Sequence, residues 1–288
     1  MSFHVDAGRS QDRVGDLLAY QASLSLRLIA TSRENFVTCG PDEPVAAVQA
    51  RVSEDGFDHV PVEHEGAIIG VLDVRDAGLA AQGMKVRDIA SPVAERHLVG
   101  ADTSILEFLE QAHVQPFRFL VSRGRIDALV SISDIQQLPV RACLFALVTQ
   151  LEMVMAEVIS ARFADPKDWL SLLKADRCSK VVEVMVRAKR DNSQVDPLLY
   201  TQFCDKREIV EKLMGDREAG VSRSRFKRTF EEIEKLRNNL AHANELSATA
   251  STCKLVTEMR RWIAELDQLA RACARKDSSA AERERMIG

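Results

Sequence analysis

Two stretches of this chain decide its fold: GPDEPVAAVQARVSEDGFDHVPVEHEGAIIGVLDVRD at residues 40–76 and GADTSILEFLEQAHVQPFRFLVSRGRIDALVSISD at residues 100–134. Each predicts a helix, a strand, a polar turn with glycine, a second strand and an aspartate that opens a helix. The predicted elements are helix 44–54 with strands 59–62 and 67–72, and helix 104–113 with strands 117–121 and 128–131. The chain therefore contains an internal repeat of about 60 residues, which predicts two like units packed together.

The sequence around the repeats divides the chain into a mixed half and a helical half. A helix is predicted at 11–27, strands near 36–38 and 97–99, and helices at 140–163, 166–175, 178–190, 206–214, 222–240 and 251–275. Apolar residues recur every three or four positions in two of these helices: Leu144, Leu147, Leu151, Val154 and Val158, and Phe226, Phe230, Ile233, Leu236 and Leu240. Such stripes are typical of core helices. We expect an α+β protein whose C-terminal part is an all-α helical bundle.

The duplicated stretches resemble the CBS domain pair. The resemblance covers residues 28–137, with repeats at 28–82 and 83–137 behind an N-terminal helical segment at 1–27. It implies tandem CBS repeats, that is, short sheets flanked by helices, with adenosine sites in the clefts between the repeats. In this family a Ser or Thr three residues before an Asp contacts phosphate, and the Asp accepts hydrogen bonds from the ribose hydroxyls.

The nucleotide-binding pattern is complete in only one repeat. SISD in the second repeat supplies Ser131 and Asp134, whereas GVLDVRD in the first places Asp73 at the hydroxyl position and Asp76 at the ribose position. A carboxylate beside an incoming phosphate repels it, so we expect one competent cleft and an adenine nucleotide such as ATP or AMP as a regulatory ligand. The resemblance also implies that adenine packs against Val60, Pro61 and Val62 or against Phe119, Leu120 and Val121. Alternatively, Asp134 and Asp76 only cap helices, and the pair is a dimerisation scaffold.

The segment LRNNLAHAN near the end of the predicted helix 222–240 resembles the HEPN superfamily, whose active members carry an Arg-polar-x-x-x-His motif. The motif falls on Arg237, Asn238 and His242, and the segment LLYTQFCDKREIVEKL with Asp205 is also similar to members of this family. The resemblance covers residues 138–275. It implies a metal-independent endoribonuclease that acts on RNA as a homodimer, with two motifs facing one groove.

The three motif residues suit RNA cleavage without a cofactor. An imidazole can remove a proton from the ribose 2′-hydroxyl, and a guanidinium can stabilise the charge that develops on phosphorus, which yields 2′,3′-cyclic phosphate and 5′-hydroxyl ends. Asn238 precedes His242 by four residues, so its amide lies beside the imidazole on a helix. Arg237 is about 140° from His242 around an ideal helix, so its side chain must curl or the helix must end between them. Alternatively, this segment only terminates the helix, and the domain is inactive.

Four cations precede the motif on the same predicted helix and are candidate RNA-binding residues: Arg223, Arg225, Lys227 and Arg228. The alternative is a solvated helix face balanced by the glutamates that follow. Together the two halves predict a ribonuclease gated by nucleotide in a homodimer or higher oligomer. The alternative is a non-enzymatic sensor whose helical half mediates dimerisation or binds a partner.

Composition and residue spacing argue against several other classes of protein. A net charge of −4 gives no general attraction to nucleic acid, and the six scattered cysteines are expected to be reduced thiols. No cluster of histidines and carboxylates has ligand spacing, so no metal site is predicted. The sequence shows neither a signal peptide nor an apolar run long enough for a membrane span, so we expect a cytoplasmic protein that does not contact membranes. The charged segment 276–288 is expected to be disordered.

Overall fold

The computed structural model describes residues 19–21, 23–52, 57–77, 83–191, 196–214, 223–242, 244, 246 and 249–287. By its internal contacts the chain divides into two compact units. Residues 24–140 form one, which we call the sheet unit, and residues 1–23 with 141–288 form the other, the helical unit. The first residues of the predicted helix 11–27 lie outside the described residues.

In the described residues of the sheet unit there are seven strands in two sheets. The strands are β1 (Thr31–Ser32), β2 (His59–His64), β3 (Ala67–Asp73), β4 (Ser91–Pro92), β5 (Leu98–Gly100), β6 (Phe117–Ser122) and β7 (Arg125–Ser131). One sheet has the order β1-β7-β6-β5 and the other the order β2-β3-β4. Each predicted hairpin is therefore the centre of one sheet.

Each sheet is completed by a strand of the other repeat. β1 belongs to the first repeat but pairs with β7 of the second, and β4 belongs to the second repeat but pairs with β3 of the first. Gly70 allows the close approach of β4, because a Cβ atom there would lie 2.9 Å from the carbonyl oxygen of Ser91. The exchange ties the two repeats into one unit, as two like repeats predict.

The predicted strand at 36–38 is wrong as a separate element. The structure has instead a single parallel bridge, in which the Cys39 amide donates to the Pro61 carbonyl at 3.0 Å and the Glu63 amide donates to the Cys39 carbonyl at 2.9 Å. Gly40 and Pro41 follow directly, and neither extends a strand well. The pairing therefore ends after one residue.

Short helices flank the two sheets. They are α1 (Val45–Val52), α2 (Val74–Ala77), α3 (Val86–Ile89) and α4 (Ile105–Gln111). The buried face of α1 packs with Val60, Val62 and Leu72 on one side of the first hairpin. On its other side, Ile68 and Val71 pack against Phe117 and Phe119 of the second repeat. These apolar clusters form the core of the sheet unit.

Both hairpins use the same turn and carry the same irregularity. The turn residues Glu65 and Gly66 have positive φ angles of 48° and 77°, and Arg123 and Gly124 have 51° and 77°. Two-residue turns of this kind match the twist of the strands. In each hairpin the pairing then skips one residue, Ile69 in β3 and Asp127 in β7, which is a β-bulge. A bulge re-aims the side chain of its extra residue.

The helical unit is a bundle of long and short helices. They are α5 (Leu138–Arg162), α6 (Pro166–Leu170), α7 (Ala175–Arg190), α8 (Phe203–Leu213), α9 (Arg223–Ala241) and α10 (Thr249–Ile287). Both predicted apolar stripes are buried. The ring of Trp262 meets Phe226 and Phe230 edge-on at centroid distances of 5.1 and 5.5 Å. Aromatic packing of this geometry stabilises the bundle beyond area burial alone.

Two helices of this bundle differ from expectation. α10 continues as helix to Ile287, well past the predicted end at 275, because the added residues are mostly good helix formers without proline. α5 is long and apolar enough to cross a membrane, with a mean hydropathy of 1.8 in its most apolar window. Core helices pass the same test, and 61% of that window is buried inside this structure.

Candidate functional site

A groove of about 550 Å³ opens at the end of the sheet unit where the two hairpins turn. It is lined by Arg27, Ala30, Ser32, Arg33, Glu34, Glu63, Arg125, Asp127 and Ala128. β1, the first residues of β7 and the end of β2 bring these residues together. The volume falls within the range of roughly 300–1,000 Å³ typical of small-molecule sites.

Arg33 lies in the groove and forms hydrogen bonds to both repeats. Its guanidinium donates to the carbonyl oxygen of Gly66 in the first hairpin turn at 2.6 Å and to that of Ile126 in β7 at 3.1 Å. Glu63 lies 3.4 Å away, and the Arg33 side chain is only 24% exposed. Held by these three hydrogen bonds, Arg33 acts as a structural clamp between the repeats.

Arg27 and Arg125 are less firmly held than Arg33. Nη2 of Arg27 donates to the Ser122 hydroxyl at 2.9 Å, and Nη1 lies 3.6 Å from Oδ2 of Asp127. Nη2 of Arg125 lies 4.0 Å from Oδ1 of the same carboxylate, and its side chain is 73% exposed. One aspartate therefore stands between two guanidiniums, at distances longer than charge-assisted hydrogen bonds.

The predicted nucleotide residues Ser131 and Asp134 are bonded to each other at the start of a 3-10 helix. Oδ2 of Asp134 accepts the Ser131 amide at 2.8 Å, and Oδ1 accepts Nε2 of Gln137 at 2.7 Å. Burial raises the pKa of Asp134 above its ordinary value, although these hydrogen bonds oppose the rise. In this conformation the pair forms a capping box, with Ser131 as the N-cap and Asp134 at the third helical position, whereas the alternative interpretation expected Asp134 itself to be the cap.

The counterpart in the first repeat is occupied by an ion pair. Arg75 donates to Asp73 from Nη2 at 2.8 Å, from Nε at 3.1 Å and from its backbone amide at 2.9 Å. Burial opposes ionisation of Asp73, but the bonds from Arg75 outweigh it and lower its pKa. Its charge is thus largely offset, which weakens the predicted repulsion of phosphate. The side chain of Asp76 lies outside the described residues.

The predicted adenine contacts Val60, Val62 and Leu120 have about 1% of their surface exposed. Val60 and Val62 belong to the cluster beneath α1. Side chains packed in this way present no surface to a ligand in this conformation.

Two buried histidines flank Phe117 in the sheet unit. The His59 ring centroid lies 4.5 Å and the His97 centroid 5.2 Å from that of Phe117. His97 Nδ1 accepts the Ala94 amide at 3.2 Å, whereas His59 Nδ1 is buried without a hydrogen-bond partner. Burial lowers the pKa of both histidines. For His59 the carboxylates of Asp73 and Asp58 oppose the shift, whereas for His97 the guanidiniums of Arg96 and Arg118 add to it.

This geometry predicts loss of stability on acidification. Below a pH of about 6.5 the unfolded state binds protons that the folded state does not bind. The free energy of unfolding is therefore highest above this pH, and on acidification it decreases by up to about 1.4 kcal/mol per pH unit for each histidine. The replacement His59→Leu is expected to flatten the dependence of the melting temperature on pH between about 6.5 and 5. The exposed control His64→Leu is expected to leave it unchanged; equal slopes in all three proteins would contradict the prediction.

In the helical unit, the predicted motif lies at the end of α9. The helix ends at Ala241, and the His242 amide donates to the Asn238 carbonyl at 3.0 Å. His242 and Asn238 are exposed and Arg237 is half-buried. The helix thus ends between Arg237 and His242, one of the two arrangements that the sequence required.

Charged neighbours surround this motif. Asn238 lines a shallow pocket of about 280 Å³ with Glu231, Glu234 and Lys235. Of the predicted RNA-binding residues, Arg223 lies 3.2 Å from Glu211 and Arg225 lies 3.0 Å from Glu258. Lys227 and Arg228 are exposed. Half of the predicted basic face is therefore paired with carboxylates.

Sequence reasoning missed the groove arginines and a buried ion pair of the helical unit. Asp205 is 1% exposed and accepts Arg177 Nε at 2.9 Å and Nη2 at 2.6 Å. The bonds from Arg177 hold the pKa of Asp205 below its ordinary value against the effect of burial. In the described part of the chain, no three His, Cys, Asp or Glu side chains are grouped so as to hold a metal ion.

Residues 29–77 match the family model of the CBS domain, so the chain contains a CBS domain. The second repeat has the same order of helix and hairpin. No curated protein sequence matches the chain.

Several solved structures similar to the chain are described as CBS domains or as containing them. The CBS domain of a bacterial CNNM/CorC family Mg²⁺ transporter in complex with ATP has 19% identity and a TM-score of 0.37, over 43% of this chain and 93% of that one. A hemolysin-like protein of Oenococcus oeni has 14% identity and a TM-score of 0.35, over 42% and 94%. The CBS domains of a transcriptional regulator from Streptococcus pneumoniae have 16% identity and a TM-score of 0.33, over 39% and 96%. Similarity at this level supports no conclusion about function.

Proposed function

We propose that the sheet unit is a regulatory module that binds an adenine nucleotide. The observation that carries the proposal is the match of residues 29–77 to the CBS domain, a nucleotide-sensing module. The groove of about 550 Å³ in the same unit supports it, because it is large enough for a nucleotide and contains guanidiniums that attract phosphate.

The ribose is assigned to Asp134 and the first phosphate to Ser131, the last residue of β7, whose first residues line the groove. Gln137 links Asp134 to the segment that lines the groove, because its Nε2 donates both to Oδ1 of Asp134 at 2.7 Å and to the carbonyl of Ile29 at 2.8 Å. Ile29 precedes Ala30, which lines the groove. A ribose at Asp134 replaces the hydrogen bond from Gln137 with bonds from its own hydroxyls. Val60, Val62 and Leu120 are left out of this assignment because they are buried.

The test is ligand stabilisation of the whole chain. Millimolar ATP, ADP or AMP is expected to raise the melting temperature, since ligand at 100 times its dissociation constant stabilises the folded state by about 2.7 kcal/mol. GTP and inorganic phosphate at equal ionic strength serve as controls. If no adenine nucleotide raised the melting temperature, the proposal would fail and a dimerisation scaffold would be the better interpretation.

A second function is proposed for the helical unit: metal-independent RNA cleavage of the HEPN kind, gated by nucleotide in a homodimer. The observation that favours it is the exposure of His242 and Asn238 just where α9 ends. An exposed imidazole can reach a ribose 2′-hydroxyl. Glu231 and Glu234 beside Asn238 count against it, because carboxylates repel an RNA backbone. Cleavage of RNA in EDTA by the chain and by His242→Ala tests this function.

A further inference from the structure

We propose that the groove selects nucleotides with two or more phosphates, which Arg27 and Arg125 bind in place of the carboxylate of Asp127. The inference rests on the proposed nucleotide function and names its ligand class. Arg33 is held by three hydrogen bonds to Ile126, Glu63 and Gly66, so the less firmly held Arg27 and Arg125 are the groups assigned to phosphate.

The first observation is the charge balance at Asp127. Its two oxygens lie 3.6 Å from Arg27 and 4.0 Å from Arg125, so one negative charge is shared by two positive ones. The other carboxylate near Arg27 is Asp102, at 3.9 Å, with a fully exposed side chain. Solvent weakens such distant pairs. A phosphate carries more charge and accepts bidentate bonds from a guanidinium, so it is the stronger partner.

The second observation is the bulge that places Asp127 there. The pairing of β6 with β7 steps from Leu120–Ala128 to Val121–Ile126, which leaves Asp127 without a partner on β6. The equivalent extra residue of the first repeat is Ile69, which is 44% exposed. Bulges are frequent beside functional sites because they redirect a side chain. The bulge of the second hairpin therefore places a carboxylate in the groove, whereas the bulge of the first hairpin carries an apolar side chain.

The third observation is distance. Ser131 follows Asp127 by four positions on β7, which is roughly 13 Å of extended strand. A ribose at Asp134 with its first phosphate at Ser131 therefore leaves a gap before the guanidiniums. Only a chain of further phosphates crosses this gap. The groove consequently favours ATP or ADP over AMP.

Calorimetric titration of the full chain with AMP, ADP and ATP tests the proposal. The wild-type protein is expected to bind ATP roughly tenfold more tightly than AMP, the equivalent of about 1.4 kcal/mol. Arg125→Gln is expected to weaken ATP binding about five- to tenfold with AMP nearly unchanged. Asp127→Asn is expected to strengthen ATP binding about threefold, because it removes the competing carboxylate. A purely structural role for these residues predicts no gain in ATP affinity in Asp127→Asn and no ATP-specific loss in Arg125→Gln.

The matched control is Arg123→Gln, which removes the same charge two residues away, outside the groove lining. It is expected to bind all three nucleotides as the wild type does. Equal affinities for AMP and ATP, or weaker ATP binding by Asp127→Asn, would overturn the phosphate assignment and leave the proposed function standing. Absence of binding by any nucleotide would overturn the proposed function itself.

Discussion

Replacing Asp205 with alanine is expected to lower the free energy of unfolding by about 3 kcal/mol or more, because it leaves the guanidinium of Arg177 without its partner. Both oxygens of Asp205 accept from Arg177, and Oδ2 also accepts the Gln202 amide at 2.8 Å. The Arg177 side chain is 23% exposed, so solvent recovers part of the loss and the lower end of the range for buried pairs applies. Urea denaturation followed by circular dichroism measures the change.

An exposed ion pair in the same unit provides the control. Glu183 and Arg187 on α7 are 3.9 Å apart and 74% and 76% exposed, so Glu183→Ala is expected to cost at most about 0.5 kcal/mol. The double variant Arg177→Met with Asp205→Leu is expected to recover much of the lost stability, because it removes the unpaired charge and keeps the volume. A loss below about 1 kcal/mol in Asp205→Ala would show that this pair is not a principal support of the helical unit.

For the second proposed function, His242→Ala is expected to reduce RNA cleavage in EDTA by about 10²- to 10⁴-fold, the usual contribution of a general acid or base. His242 is exposed beyond the end of α9, so its removal leaves the helix packing intact. The readout is the cleavage rate of RNA by purified protein, together with the detection of 2′,3′-cyclic phosphate ends.

The matched control is His113→Ala, an exposed histidine of the sheet unit that is expected to leave cleavage unchanged. Cleavage that persists in His242→Ala would remove His242 from the mechanism. The absence of cleavage by the wild-type protein, with or without ATP, would leave the helical unit as a dimerisation or partner-binding domain. The nucleotide proposal for the sheet unit does not depend on this outcome.

Local pattern predicted most of the fold. The two hairpins, with glycine at positive φ in each turn, and the two apolar stripes were predicted because strand alternation and helix periodicity involve neighbours in the sequence. The predicted strand at 36–38 was wrong, because a short strand forms only where a segment distant in the sequence presents backbone groups for it to pair with. β1 illustrates this: Thr31 and Ser32 pair with Leu129 and Ala128, almost one hundred residues later.

The sequence by itself determined the repeat, the CBS resemblance and the helical nature of the second half. Only the tertiary structure decided which polar groups are free to act. Asp134 is engaged by Ser131 and Gln137, and Asp73 by Arg75. The groove joins residues from positions 27 to 128, and the bulge in β7 places the charge of Asp127 in it. The physical reason is that a motif specifies residue types at a spacing, whereas hydrogen-bond partners, burial and strand register depend on contacts between segments far apart in the chain.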